Sequence, residues 1–323
     1  SGAEAFQGIR GIAHQTILLT REIDFFEENL WELLCGERGN ALIEHLGIAQ
    51  VILNDIAAES AKIASSTGRL RGAAGLDAGF LIPAQVDLAR AQKFLGALTG
   101  WLTSDTPHHI ALLFQNPSEM RPGGGFLGSY AEVVISRGNI ESVRARDINE
   151  VDREFVGTII PPEPLQAIAA RWKTADANWF FDFSDSAEKV LAFMDRSGLY
   201  KDRSIRLEGA VALSPRVIGD LLSITGPIEL PSYGVTLDKD NFLIEIQKQV
   251  QEEQEKRATY PKKILEELTP RLLEATGRAV KTEKQKLAVM FQDWVAKRDL
   301  MAYFREGEFQ KFLDSYGATG RIY

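Results

Sequence analysis

Three consecutive glycines, Gly123 to Gly125, stand between two strand-like runs and constrain this chain more tightly than any other feature. Glycine loses more conformational freedom on folding than any other residue, so such a run is costly unless positive φ angles or a close backbone approach need it. Before it, the apolar run 110–114 reads as a buried strand ending at Asn116-Pro117; after it, 129–136 is rich in β-branched and aromatic residues, as strands are. The loop headed by Arg121-Pro122 has two readings. It is a tight structural turn in which Arg121 pairs with Glu119, or a cradle of backbone N–H groups for an anion, with Arg121 adding its planar fork of donors.

The flanking sequence predicts the architecture. Residues 6–34 place Ile9, Ile12, Thr16, Leu19, Ile23, Phe26, Leu30 and Leu33 at heptad spacing, and Leu42, Leu46, Ala49, Leu53, Ile56 and Ile63 repeat the device after a short loop at 36–40. A connection that short makes the two helices antiparallel neighbours. The seams either pack on each other and on the main domain or form a stalk that binds a partner. Residues 65–79, with four glycines, read as a linker, and Pro83 opens a helix ending near Leu102. Beyond it come a Gly138-Asn139 hairpin into a strand at 140–145, a helix 187–195 capped by Ser184, and a strand at 207–213. A helix from Pro215 and a strand at 228–230 complete one unit on a mixed sheet. A polar helix (247–257), amphipathic helices at 264–273 and 287–295, a closing strand 300–304 and a last helix 309–313 follow. The fold class is therefore α/β, a mixed central sheet flanked by helices, with an N-terminal antiparallel helical hairpin. Residues 1–80 form the hairpin and linker, and 81–323 the α/β domain with its C-terminal helices.

Composition narrows the function. A net charge of −8 and a pI near 5.3 exclude a sequence-independent nucleic-acid binder, which gains its affinity from Lys and Arg on phosphates. The single cysteine, Cys35, allows no internal disulfide. No uninterrupted run of about 18 apolar residues predicts a membrane span. The start at Ser-Gly-Ala, without methionine, fits a chain with an upstream segment.

The blocks 112–116 (Leu-Leu-Phe-Gln-Asn), 119–129 (Glu-Met-Arg-Pro-Gly-Gly-Gly-Phe-Leu-Gly-Ser), 161–164, 176–179 (Asp-Ala-Asn-Trp) and 225–228 (Thr-Gly-Pro-Ile) resemble the prokaryotic domain-of-unknown-function family numbered four thousand and twelve, over roughly 108–323. The resemblance implies an extracytoplasmic, cell-envelope location behind an N-terminal membrane anchor. The layout is also distantly similar to the LytR-CpsA-Psr ligases, which move a glycopolymer from a polyprenyl pyrophosphate to the cell wall with a divalent metal. Ala145-Arg146-Asp147 stands where those ligases carry Pro-Arg-Asp; near Arg121, where they carry an Arg-Ser-Asp triplet, this chain has glycines in place of the acid.

On that resemblance Arg121, Arg146 and Asp147 are the candidate catalytic residues, with Asp147 also binding Mg2+ or acting as base toward an acceptor hydroxyl. Gly123, Gly124, Gly125, Ser129 and Arg144 are the candidate phosphate-binding residues. The expected partner is a polyprenyl-linked glycan or cell-wall polymer. Each assignment has a structural counterpart: Arg144, Arg146 and Asp147 as an ion-pair cluster, Asp176, Asn178 and Asp182 as turn and cap residues, and Trp172, Trp179 and Phe181 as core rather than sugar-stacking aromatics. His14, His45, His108 and His109 show no metal spacing. The alternative function is a non-catalytic envelope scaffold or binding module engaging a protein or glycan through its helices.

Overall fold

The structure, a computed structural model, describes residues 2–74, 81–155, 157–255 and 263–322. The chain divides into two compact units, Ser1–Thr106 with Ser136–Asn139, and Pro107–Ile135 with Ile140–Tyr323.

The first unit is helical: α1 (Gly2–Cys35), α2 (Gly39–Ala74) and α3 (Leu81–Leu102). Helices α1 and α2 are antiparallel, because Gln15 Nε2 donates to Asp55 at 3.0 Å while Glu22 meets His45 at 2.7 Å. The His45 ring stacks on Phe25 at 3.6 Å. The face of α1 turned to α2 carries Gly8, Gly11, Gln15, Glu22 and Phe25 beside Ile12 and Leu19 of the expected heptad stripe, which line a space with Leu53, Ile56 and Ile63 of α2. Glycines let the backbones approach and the polar residues find partners, whereas Ile9 and Ile23 stay 58% and 49% exposed. The α2 seam holds as expected, with Leu42, Leu46, Ala49 and Leu53 buried. The expected linker at 65–79 is overturned in part: α2 runs through Gly68 and Gly72 to Ala74, and 75–80 lie outside the described residues. Gly39–Ala64 is long and apolar enough to cross a membrane, and 28% of its most apolar window is buried. A search for an unbroken apolar run misses it because scattered polar residues interrupt a high mean hydropathy. Helix α3 packs on α2, where Gln92 Nε2 donates to Leu53 O and Asn54 Oδ1.

The second unit is built on a five-stranded mixed sheet. Its strands are β1 (His108–Asn116), β2 (Phe126–Ser136), β3 (Asn139–Asp147), β4 (Leu207–Leu213) and, last in sequence, β7 (Leu300–Phe304), in the order β3-β2-β1-β4-β7. β1 and β4 are parallel; β1–β2 and β4–β7 are antiparallel. The β2–β3 turn centres on Arg137 and Gly138, both at positive φ as a two-residue primed turn requires, one residue before the expected Gly138-Asn139 pair. Between β3 and β4 lie α4 (Ile148–Arg153), α5 (Glu163–Gln166), α6 (Phe183–Arg196) and α7 (Gly198–Lys201). Alternate residues of β1 and β4 (Ala111, Leu113, Ala210, Ala212) meet Ala187, Val190, Leu191 and Met194 of α6 in the main core. Period two on the strands against a helical stripe is what selects this face.

After β4 come α8 (Pro215–Thr225), β5 (Ile228–Leu230), β6 (Val235–Leu237), α9 (Phe242–Glu255), α10 (Ile264–Ala296) and, beyond β7, α11 (Gly307–Ser315). Strand β5 does not join the main sheet as expected; among the described residues it pairs with β6, and the two pack with α8, α9 and α10 in a second core around Leu222, Leu230, Leu237 and Leu268. The two helices expected at 264–273 and 287–295 are the two arms of α10, which meet at a kink where Glu283 leaves helical geometry (φ −116°, ψ 21°).

Candidate functional site

Where two central parallel strands end, the chain leaves β1 toward β2 and leaves β4 toward α8. Divergence at the carboxyl ends of neighbouring parallel strands opens the crevice in which α/β sheets commonly bind ligands. Such a crevice is present, with a volume of about 340 Å³. Its rim is the glycine loop (Gln115, Asn116, Ser118, Gly123, Gly124) on one side and Ser214, Pro215 and Arg216 on the other. Lys297, Arg298 and Asp299, before β7, close its back, and Phe181 and Leu243 add apolar surface.

The glycine loop is pinned from beneath. Buried Gln115 donates its Nε2 to Gly123 O at 2.9 Å, and Asn178 donates its Nδ2 to Gly125 O at 2.8 Å. Gly123 N–H donates to Asn178 O and Gly124 N–H to Arg121 O, so two of the three glycine amides are used in forming the turn. A methyl group at Gly123 would collide with Asn178 Oδ1, and Gly124 and Gly125 hold φ of 110° and 138°. Close approach and positive φ, the two needs that justify glycine, are both met here.

Around the crevice the charges are unequal. Arg216 is held by Asp293 and by Asp299, whose Oδ2 accepts its Nη1 at 2.8 Å, and Asp293 also takes Lys297. The Ser214 hydroxyl donates to Asp299 Oδ1 at 2.6 Å rather than capping α8. Arg298 instead donates one nitrogen, Nη2, to the carbonyls of Gly320 and Arg321, with no carboxylate partner among the described residues. Its backbone is left-handed (φ 63°) just past the end of α10, a conformation L-residues adopt at a cost.

The residues singled out in the sequence fall in three places. Gly123 and Gly124 line the crevice. Arg121 sits behind the loop: it donates to Asp176 Oδ1 through Nε and Nη2 at 3.1 and 2.7 Å, not to Glu119, with its guanidinium over the Phe126 ring. Gly125 and Ser129 are buried, Ser129 opposite Phe114 in the sheet. Arg144 and Arg146 share a separate depression of about 410 Å³ with Arg153, Glu150, Glu154 and Glu266. There Arg146 Nη1 donates to Glu150 Oε2 at 3.1 Å. Asp147 lines neither space; it caps α4, accepting the Asn149 N–H and Nδ2 at 2.8 Å each, and Glu150 completes the capping box. Among the described residues no group of three or more His, Cys, Asp or Glu lies together, and Asp147 Oδ1 is engaged by the two nitrogens of Asn149.

Of the turn and aromatic candidates, Asp176 binds Arg121, Asn178 pins the glycine loop, and Asp182, not Ser184, caps α6 by accepting the Ser184 N–H. Trp172 packs edge-on against Phe193 beside the core, while Phe181 is 70% exposed at the crevice. Sequence reasoning missed Arg216, Lys297, Arg298 and Asp299. The one local signal was Ser214-Pro215 after a strand, which marks a helix start at a strand end.

Comparison with curated proteins and with solved structures finds no match. Residues 105–250, from just before β1 into α9, match the family described as "Protein of unknown function (DUF4012)".

Proposed function

We propose that this chain is an extracytoplasmic, membrane-associated protein of the cell envelope that binds a phosphate-linked glycopolymer, of the polyprenyl-pyrophosphate kind, in the crevice beyond β1 and β4. The observation that carries the reading is that crevice: a pocket of ligand size at the divergence of two parallel strands, lined by Arg298, which has no carboxylate partner among the described residues, and by Asn116 and Ser118. Binding is favoured over transfer because Arg121 is held by Asp176, whereas Arg146 and Asp147 both engage Glu150 at the start of α4. The apolar stretch Gly39–Ala64 supports a place at the membrane.

Calorimetric titration with a short-chain prenyl pyrophosphate tests this. Arg298→Gln is expected to weaken binding about tenfold, the scale of one charge-assisted hydrogen bond, with Asp147→Asn unchanged. Equal affinity of Arg298→Gln and wild type would overturn the crevice as the site. Loss of binding with Asp147→Asn in a folded protein would return the function to the end of β3.

A second reading, a module that engages a protein partner through its helices, is favoured by one observation: Ile9, Ile17 and Ile23 of α1 are exposed.

A further inference from the structure

Two residues of the crevice wall, Met301 and Arg298, are held by the segment that follows α11. There the backbone turns left-handed at Gly317 (φ 71°) and again at Gly320 (φ 61°), and between the two turns Ala318 and Thr319 are buried. Ala318 O accepts the N–H of Ala302 on β7 at 2.8 Å, which seats the segment against the sheet. A methyl group at Gly320 would collide with the Met301 sulfur and come within 3.0 Å of Phe183 Cβ. Met301 lines the crevice, and both side chains belong to the main core. The carbonyls of Gly320 and Arg321 then accept Nη2 of Arg298, at 2.6 and 3.2 Å.

These contacts set the guanidinium without using all of it. The donors on Nη2 serve the two carbonyls, while Nε and Nη1 have no hydrogen-bond partner among the described residues. An unrestrained arginine side chain loses rotamer freedom when it meets a ligand, and here the segment has already imposed much of that loss. Thr319 opposes the seating. Its hydroxyl is buried with no hydrogen-bond partner among the described residues, a cost that ends when the segment leaves its seat.

We propose that residues 318–321 are a latch that positions Arg298, with Gly320 the positioning residue that lets the latch seat beside Met301. Seated, the latch fixes the Arg298 head and leaves Nε and Nη1 for an oxyanion in the crevice. Unseated, the side chain is free to rotate and the crevice binds anions more weakly. Seating and binding are therefore linked in both directions: whatever strengthens one strengthens the other by the same factor. The inference rests on Arg298 meeting an anion in the crevice and adds how that contact is switched.

The test is a double-mutant cycle in which a short-chain prenyl pyrophosphate is titrated calorimetrically into the whole chain, Gly320→Val, Arg298→Gln and the double variant. A β-branched residue at positive φ and against Met301 does not keep the seat. Gly320→Val is expected to lose most of the about tenfold expected for Arg298→Gln, and the double variant to bind no more weakly than Arg298→Gln alone. Wild-type affinity in Gly320→Val, or losses that add in the double variant, overturns the latch while leaving the crevice intact. Wild-type affinity in Arg298→Gln sinks the underlying reading instead. Hydrogen exchange on the wild-type chain decides the matter should Gly320→Val fail to fold. Saturation with the same probe is expected to slow exchange of the Ala302 amide, whose acceptor is Ala318 O, and unchanged exchange overturns the latch.

Discussion

Gly123 is a residue whose missing side chain holds the loop in place. Its amide donates to Asn178 O, its carbonyl accepts from Gln115, and Asn178 Oδ1 fills the space where a methyl would stand. Gly123→Ala should therefore cost about 1–3 kcal/mol, the range for overpacking a filled site, read as a lower urea midpoint with an unchanged slope. A midpoint equal to wild type would mean that Asn178 moves freely. Glu132, buried on β2, gives a second prediction. Burial pushes its carboxyl up, but the hydrogen bond with His109 and the charges of Arg203 and Arg146 more than offset this and leave it below its ordinary 4.5. A carboxyl depressed on folding stabilises fully above its unfolded pKa, and the stabilisation is lost as pH falls through the folded value. Glu132→Gln should thus lose about 3 kcal/mol at neutral pH, as when one partner of a buried pair is removed. The gap to wild type in urea denaturation should close as pH drops below 4.5; a gap independent of pH would refute the role of its charge.

At the scale of elements, the strands and most helices were legible because their signals are local: β-branched runs, Pro215 at a helix start and a Gly-containing hairpin. What failed was information held by partners. A helix with apolar residues three and four apart fits two adjacent stripes, and the complementary pairs Gln15–Asp55 and Glu22–His45 on α2 set where the inward face is centred, with Ile12 and Leu19 at its side. The cap of α6 misled for a similar reason. Ser184 with Glu188 behind it looks like a helix start, yet Asp182 accepts the Ser184 amide, the Ser184 hydroxyl accepts from Gln310, and Glu188 holds Arg305. Asp182→Ala should accordingly destabilise by about 1 kcal/mol, and Ser184→Ala by less. Equilibrium denaturation of the two variants decides the matter, and the reverse order would restore Ser184 as the cap.

At the scale of the whole molecule, the glycine half of the crevice was visible in sequence and the basic half was not. Arg298 follows the loop residues by more than 170 positions, and nothing local announces that β7 folds in beside β4. The helical unit shows how stability and surface are divided within one element pair. Leu46 is buried in the α2 seam, so Leu46→Ala should cost about 2–5 kcal/mol as a cavity forms. Ile9 and Ile23 are about half exposed on α1, and replacing both with serine should change stability by only about 0.5 kcal/mol, the usual scale for surface positions. Urea denaturation followed by circular dichroism distinguishes the two cases. If the double variant proves as destabilised as Leu46→Ala, the stripe is packed in solution and the hairpin presents no apolar face. If it unfolds with wild type but no longer associates with lipid vesicles or with a protein partner, the stripe is a docking face, because only its exposed surface has changed.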